Sequence, residues 1–109
     1  MTHIKWYDNG VLCGVHAKGH AEYNPGNDIV CSAVSAMLQT LYAGLEMRCY
    51  AKVHHEQEPG WFCVDVGKTD KNKDRIETLF DSVIYGLELI AEQYPDNVKM
   101  ERVKMLDTV

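Results

Sequence analysis

Residues 18–36 read Lys18-Gly19-His20-Ala21-Glu22-Tyr23-Asn24-Pro25-Gly26-Asn27-Asp28-Ile29-Val30-Cys31-Ser32-Ala33-Val34-Ser35-Ala36, and the rest of the chain is arranged around the place where this stretch changes character. Gly19 and the cluster Asn24-Pro25-Gly26-Asn27 mark a loop, because glycine and asparagine tolerate unusual backbone angles and proline interrupts regular hydrogen bonding. From Asp28 onward the apolar positions Val30, Val34, Met37, Leu38, Leu41 and Leu45 recur at helical spacing. That spacing predicts a helix of about five turns ending near residues 44–47. Asp28 or Asn27 supplies its N-cap, a short side-chain oxygen accepting from an unpaired first-turn N–H.

With Asp28 as the cap, Cys31 falls at the third helical position, among unpaired N–H groups and the positive end of the helix dipole. That setting suits a sulfur carrying negative charge. His20 stands where a preceding strand ends. A thiol and an imidazole on either side of a flexible loop suggest nucleophilic catalysis, although spacing alone describes a loop histidine and a buried helix cysteine equally well. Asp28 can orient His20 or act only as the cap, and Ser35, one turn after Cys31, can bond near the thiol or back to the carbonyl of Cys31. In the loop 21–27 Tyr23 is the only sizeable apolar group, which predicts a segment that opens locally at little cost.

Working outward, residues 3–7 and 11–17 are β-prone runs joined by Asp8-Asn9-Gly10, a hairpin signal. Residues 48–55 and 61–66 predict a second hairpin, with Glu56-Gln57-Glu58-Pro59-Gly60 as the connection. A polar turn over 68–74 leads to a second helix with the apolar stripe Ile76, Leu79, Phe80, Val83, Leu87, Ile90, Ala91 and Tyr94. Pro95 stops it, and residues 98–103 alternate as a last strand. The order ββαββαβ implies an α+β fold, a two-layer sandwich in which a mainly antiparallel sheet is covered by two helices.

A chain of 109 residues predicts one domain over 1–109. With a net charge of -5 it lacks the basic face of a nucleic-acid binder. No apolar run of membrane-spanning length and no secretory block at the start stand out in the sequence, which predicts a cytoplasmic protein with no membrane partner. In that compartment the four cysteines, Cys13, Cys31, Cys49 and Cys63, are free thiols, and Cys13, Cys49 and Cys63 read as small apolar strand residues. None forms a Cys-x-x-Cys pair, so no metal site and no cofactor is predicted, and a thiol redox protein loses its usual support. His54 and His55, adjacent on a strand, point to opposite sides and cannot easily share an ion. Trp6 and Trp61 can flank a peptide groove or serve as ordinary packing.

Gly19-His20-Ala21, followed by Gly26-x-Asp28-Ile29-Val30-Cys31-x-Ala33-Val34-Ser35, resembles the signature of the ribosomal-processing cysteine proteases, the Prp family. The order of elements and the chain length agree as well. The resemblance implies a cysteine endopeptidase with His20 and Cys31 as the catalytic pair, and Gly19, Asp28 and Ser35 stand beside them as candidate supporting residues. It implies a homodimer whose substrate is the N-terminal extension of a bacterial large-subunit ribosomal protein, number twenty-seven in its series. Phage-encoded relatives process a capsid or scaffold protein instead. The rival from another class is a non-catalytic module that holds such a peptide in the same groove without cutting it.

Overall fold

The computed structural model describes residues 1–104; the last five residues of the predicted 1–109 domain lie outside this description. Five strands and two helices follow in the predicted order: β1 (Thr2–Asp8), β2 (Leu12–Lys18), α1 (Ile29–Met47), β3 (Val53–Glu58), β4 (Trp61–Gly67), α2 (Lys73–Gln93) and β5 (Val98–Arg102). The sheet order is β3-β4-β2-β1-β5. All pairings are antiparallel except that of β1 with β5.

Side chains alternate between the two faces of a strand, and burial shows which face carries the helices. Ile4, Cys13, Val15, Ala17, Phe62, Val64, Val66 and Val98 join Val30, Val34, Leu38, Leu41 and Leu45 of α1 and Ile76, Phe80, Val83, Ile84 and Leu87 of α2 in one core. Ile84 is a core residue outside the predicted stripe. The face turned away from the helices carries Lys5, Tyr7, Gly14, His16, Lys18, Cys63 and Asp65, none of which joins that cluster. α1 is long and apolar enough to pass for a membrane span by length and composition, contrary to the sequence reading; its buried residues pack into this core instead.

The third strand departs from expectation. Residues 48–52 do not belong to β3, because they finish α1: the N–H groups of Arg48 and Cys49 donate to Gly44 O at 2.9 and 3.0 Å, and Ala51 N–H donates to Leu45 O at 3.0 Å. Tyr50 takes a positive φ of 53° to allow this. Helix ends leave carbonyls unpaired, and this segment satisfies them in place of entering the sheet. Cys49 is accordingly buried in a turn and not in a strand. The connection also shrinks to Pro59-Gly60, since Glu56, Gln57 and Glu58 pair with Cys63, Phe62 and Trp61.

On the open face Tyr7 is nevertheless buried, because its partner across the ladder is Gly14. A Cβ at Gly14 would stand 2.7 Å from Cε1 of Tyr7 and 2.8 Å from Val64 O, so the ring occupies the room that the glycine leaves. Gly14→Ala is expected to destabilise the protein by about 1–3 kcal/mol, the usual cost of overpacking. Urea unfolding checks this, and an unchanged midpoint would refute the packing account.

Candidate active site

Asp28 sets the start of α1. Its Oδ1 accepts from the N–H of Val30 and of Cys31, each at 2.9 Å. Its Oδ2 accepts from Tyr23 N–H at 2.8 Å and Asn24 N–H at 3.3 Å. Partial desolvation opposes the charge, but the four N–H donors prevail and hold the Asp28 carboxyl below the usual carboxylate range. Among the described residues every hydrogen bond to its carboxylate comes from a backbone N–H, so of the two roles considered for Asp28 the structure displays the cap.

That cap places Cys31 at the third helical position with its thiol half-buried. Ala21 N–H points at Sγ from 3.1 Å. Ala21 is itself pinned: it is 1% exposed, and its carbonyl accepts from Nδ2 of Asn97 at 3.0 Å. The loop is thus better anchored than its composition suggests. Tyr23 adds an edge-on contact with Tyr94, ring centroids 5.2 Å apart.

β2 ends at Lys18, and Gly19 turns the chain with φ of 93° while its N–H donates to Gly60 O at 2.9 Å. His20 follows, exposed, with its ring against the hairpin turn: a Cβ at Gly60 would lie 3.3 Å from His20 Nε2. Gly60 therefore makes space for the imidazole. Among the described residues no hydrogen bond joins His20 to Cys31, yet both line one cleft of about 650 Å³ between α1 and the tip of the β3–β4 hairpin. Its floor is apolar, with Ala17, Val34, Leu38 and Phe62, and its rim carries Ser35, Gln39, Gln57 and Glu58. The Ser35 hydroxyl makes neither predicted bond among the described residues and stands exposed in the cleft wall. Trp61 lies on the cleft, whereas Trp6 packs on Phe80 at 6.2 Å and under the Arg102 guanidinium at 4.8 Å. Trp61 also meets the His16 ring edge-on at 5.5 Å, so Trp6 is ordinary packing while Trp61 both packs and lines the cleft.

His54 and His55 do point to opposite sides. His54 is exposed and bonds to Glu56 at 2.8 Å. His55 stacks on Tyr42 with centroids 3.8 Å apart and meets Phe62 edge-on at 5.3 Å.

A cleft with a thiol at a helix start, an N–H aimed at the sulfur and an imidazole across its mouth has the parts for acyl transfer to sulfur. The comparisons with known proteins indicate a cysteine protease. The family model described as cysteine protease Prp matches residues 1–99. A Staphylococcus aureus protein named ribosomal processing cysteine protease Prp is 27% identical over 97 residues, which span 85% of this chain and 89% of that protein. A crystal structure from Streptococcus mutans superposes with a TM-score of 0.75 at 25% identity, covering 96% of both chains. A second, of the S. aureus Prp with a covalently linked product peptide, gives a TM-score of 0.80 at 23% identity, covering 94% of this chain and all (100%) of that one.

Cys31 is expected to be the first cysteine alkylated near neutral pH. Burial pushes the Cys13 thiol up to about 12 and the Cys63 thiol up to about 11, and raises that of Cys49. Mass mapping after brief iodoacetamide treatment should show Cys31 leading by at least about tenfold; modification of any other cysteine first would contradict the site. For Asp28 the pH dependence has a definite sign. A lowered folded-state pKa adds stability above the unfolded value and loses it as pH falls through the folded one. Asp28→Ala should lower the melting temperature at pH 7, and its gap from the wild type should close in acid. A gap independent of pH would show that the carboxylate charge contributes nothing.

Proposed function

This chain belongs to the Prp family of cysteine proteases, and we propose that Cys31 is its nucleophile and His20 its general base and acid. The observation that carries the proposal is the shared cleft, with the Cys31 thiol and the His20 ring on opposite sides of it. His20 takes the thiol proton, and the sulfur attacks the peptide carbonyl carbon. His20 then returns the proton to the leaving amine, and an acyl-enzyme remains on Cys31. Water, losing a proton to His20, hydrolyses the thioester and restores the free thiol. The imidazole must swing from Gly60 toward the sulfur for the first transfer, a side-chain rotation that bound peptide would favour.

The oxyanion needs a donor, and Cys31 N–H is engaged by Asp28 at 2.9 Å. Ala21 N–H, already 3.1 Å from Sγ, is the donor we assign, because an oxygen on the carbon bonded to that sulfur falls within its reach. Gly19 serves by its turn and Ser35 by its place on the cleft wall.

The substrate we propose is an extended N-terminal segment of a bacterial large-subunit ribosomal protein, number twenty-seven in its series, as the family resemblance implies. The name of the S. aureus relative supports this choice. A cleft with an apolar floor and amide-bearing rim suits an extended peptide. The same reading includes a cytoplasmic setting and a homodimer, the latter supported by the exposed apolar side chains Tyr85 and Leu89 on α2.

Incubation with a synthetic peptide spanning the ribosomal extension, followed by mass spectrometry, is the test. Cleavage should fall by about a thousandfold or more in Cys31→Ala and in His20→Ala, and no further in the double variant, since members of one catalytic unit are non-additive. Retained cleavage by Cys31→Ala would overturn the mechanism. Binding without cleavage by the wild type would favour the non-catalytic module, and cleavage confined to capsid or scaffold peptides would favour the phage type.

A further inference from the structure

The face of the sheet turned away from the helices gathers side chains that the cleft chemistry does not use. Strand register brings them together. Cys63 on β4 stands opposite His16 on β2 and opposite Glu56 on β3. One row along, Asp65 stands opposite His54. Directly opposed residues on one face have Cβ atoms about 4.5–5.5 Å apart, so side chains with ligating atoms converge on Cys63 from both flanks. The donor atoms of His16, Cys63 and Asp65 lie within 4.8 Å of one another, and so do those of His54, Glu56 and Cys63.

Two imidazole–carboxylate pairs flank the thiol. His16 Nε2 meets the Asp65 oxygens at 3.1 and 3.0 Å, and His54 Nε2 meets Glu56 at 2.8 Å. The His16 and Asp65 side chains are each only 11% exposed. Behind them, the Tyr7 hydroxyl donates to Asp65 Oδ1 at 2.7 Å, the kind of outer contact that fixes a ligating carboxylate. The ring reaches that position over Gly14.

We propose that this face binds a divalent transition-metal ion of the zinc class, held by Cys63 Sγ, His16 Nε2 and an Asp65 oxygen, with His54 Nε2 as the fourth ligand. A thiolate, two imidazoles and a carboxylate are a zinc-type donor set. Bond lengths of about 2.0–2.3 Å separate tetrahedral ligands by roughly 3–4 Å; the His16, Cys63 and Asp65 donors already lie within 4.8 Å of one another, and His54, which shares Cys63 through the second group, joins them by turning away from Glu56. On binding, Cys63 releases its thiol proton to solvent and its sulfur bonds the metal, while the two neutral imidazoles exchange their carboxylate hydrogen bonds for metal bonds. The ion would join β2, β4 and the edge strand β3, stiffening the hairpin whose Pro59-Gly60 turn walls the cleft. Its role is structural, since its ligands stand on the other side of the sheet from the core that packs α1.

Cobalt(II) titration of chelator-treated protein tests the assignment. One equivalent should produce a near-ultraviolet thiolate-to-cobalt band, unchanged in Cys31→Ala and absent in Cys63→Ser. His16→Ala and His54→Ala should each weaken cobalt binding by at least about tenfold. No band in the wild type, or a band lost in Cys31→Ala and kept in Cys63→Ser, would overturn the proposal. Should Cys63→Ser fail to fold by circular dichroism, the two histidine variants decide, and unchanged affinity in both refutes the site.

Discussion

The carboxylate of Asp28 is the point on which the cleft depends. One side chain accepts four backbone N–H groups, two from the first turn of α1 and two from the loop before it. The first pair fixes where the helix begins and so which residue occupies its third position. The second pair folds the loop back over that helix start. An uncapped helix could fray past Cys31, and an unfastened loop would not bring Ala21 to the sulfur. The cap also engages the N–H of Cys31, while the N–H of Ala21 in the loop faces the sulfur.

The other half of the site rests on glycine. Gly19 lets the chain leave β2 with a left-handed residue, and Gly60 lets the β3–β4 turn pass close to the imidazole. The Gly19 N–H to Gly60 O bond of 2.9 Å ties these two turns together. Cys31 is thus carried by a helix end and His20 by a sheet end.

Much of this was legible in the sequence. Period-3.6 stripes marked both helices, Asn9-Gly10 marked the first hairpin, and Asp28 marked the helix start, because each signal is local. The failures came where distant residues decide the outcome. Residues 48–52 look like a strand by composition but satisfy the carbonyl ends of α1, and only the helix itself reveals that demand. The loop 21–27 looks unanchored until Asn97 and Tyr94 arrive from far along the chain. Likewise the patch around Cys63 has no linear motif. Its members come from three strands, and alternation plus register is needed to see that they share a face.

Asn97 has a wider consequence. It immediately precedes β5; its side chain holds the carbonyl of Ala21 at 3.0 Å, and its own carbonyl accepts from Thr2 N–H at 2.9 Å. The strand it introduces pairs with β1, joining Thr2 to Val98, the most distant partners in the sheet. Contacts of such separation carry the largest loop-closure cost and tend to form late. A partly folded chain would therefore hold His20 and Cys31 while the clamp on Ala21, and with it the N–H facing the sulfur, was still missing. The topology thus makes the geometry of the cleft wait on the final strand: the clamp on Ala21 is complete only once β5 has docked beside β1.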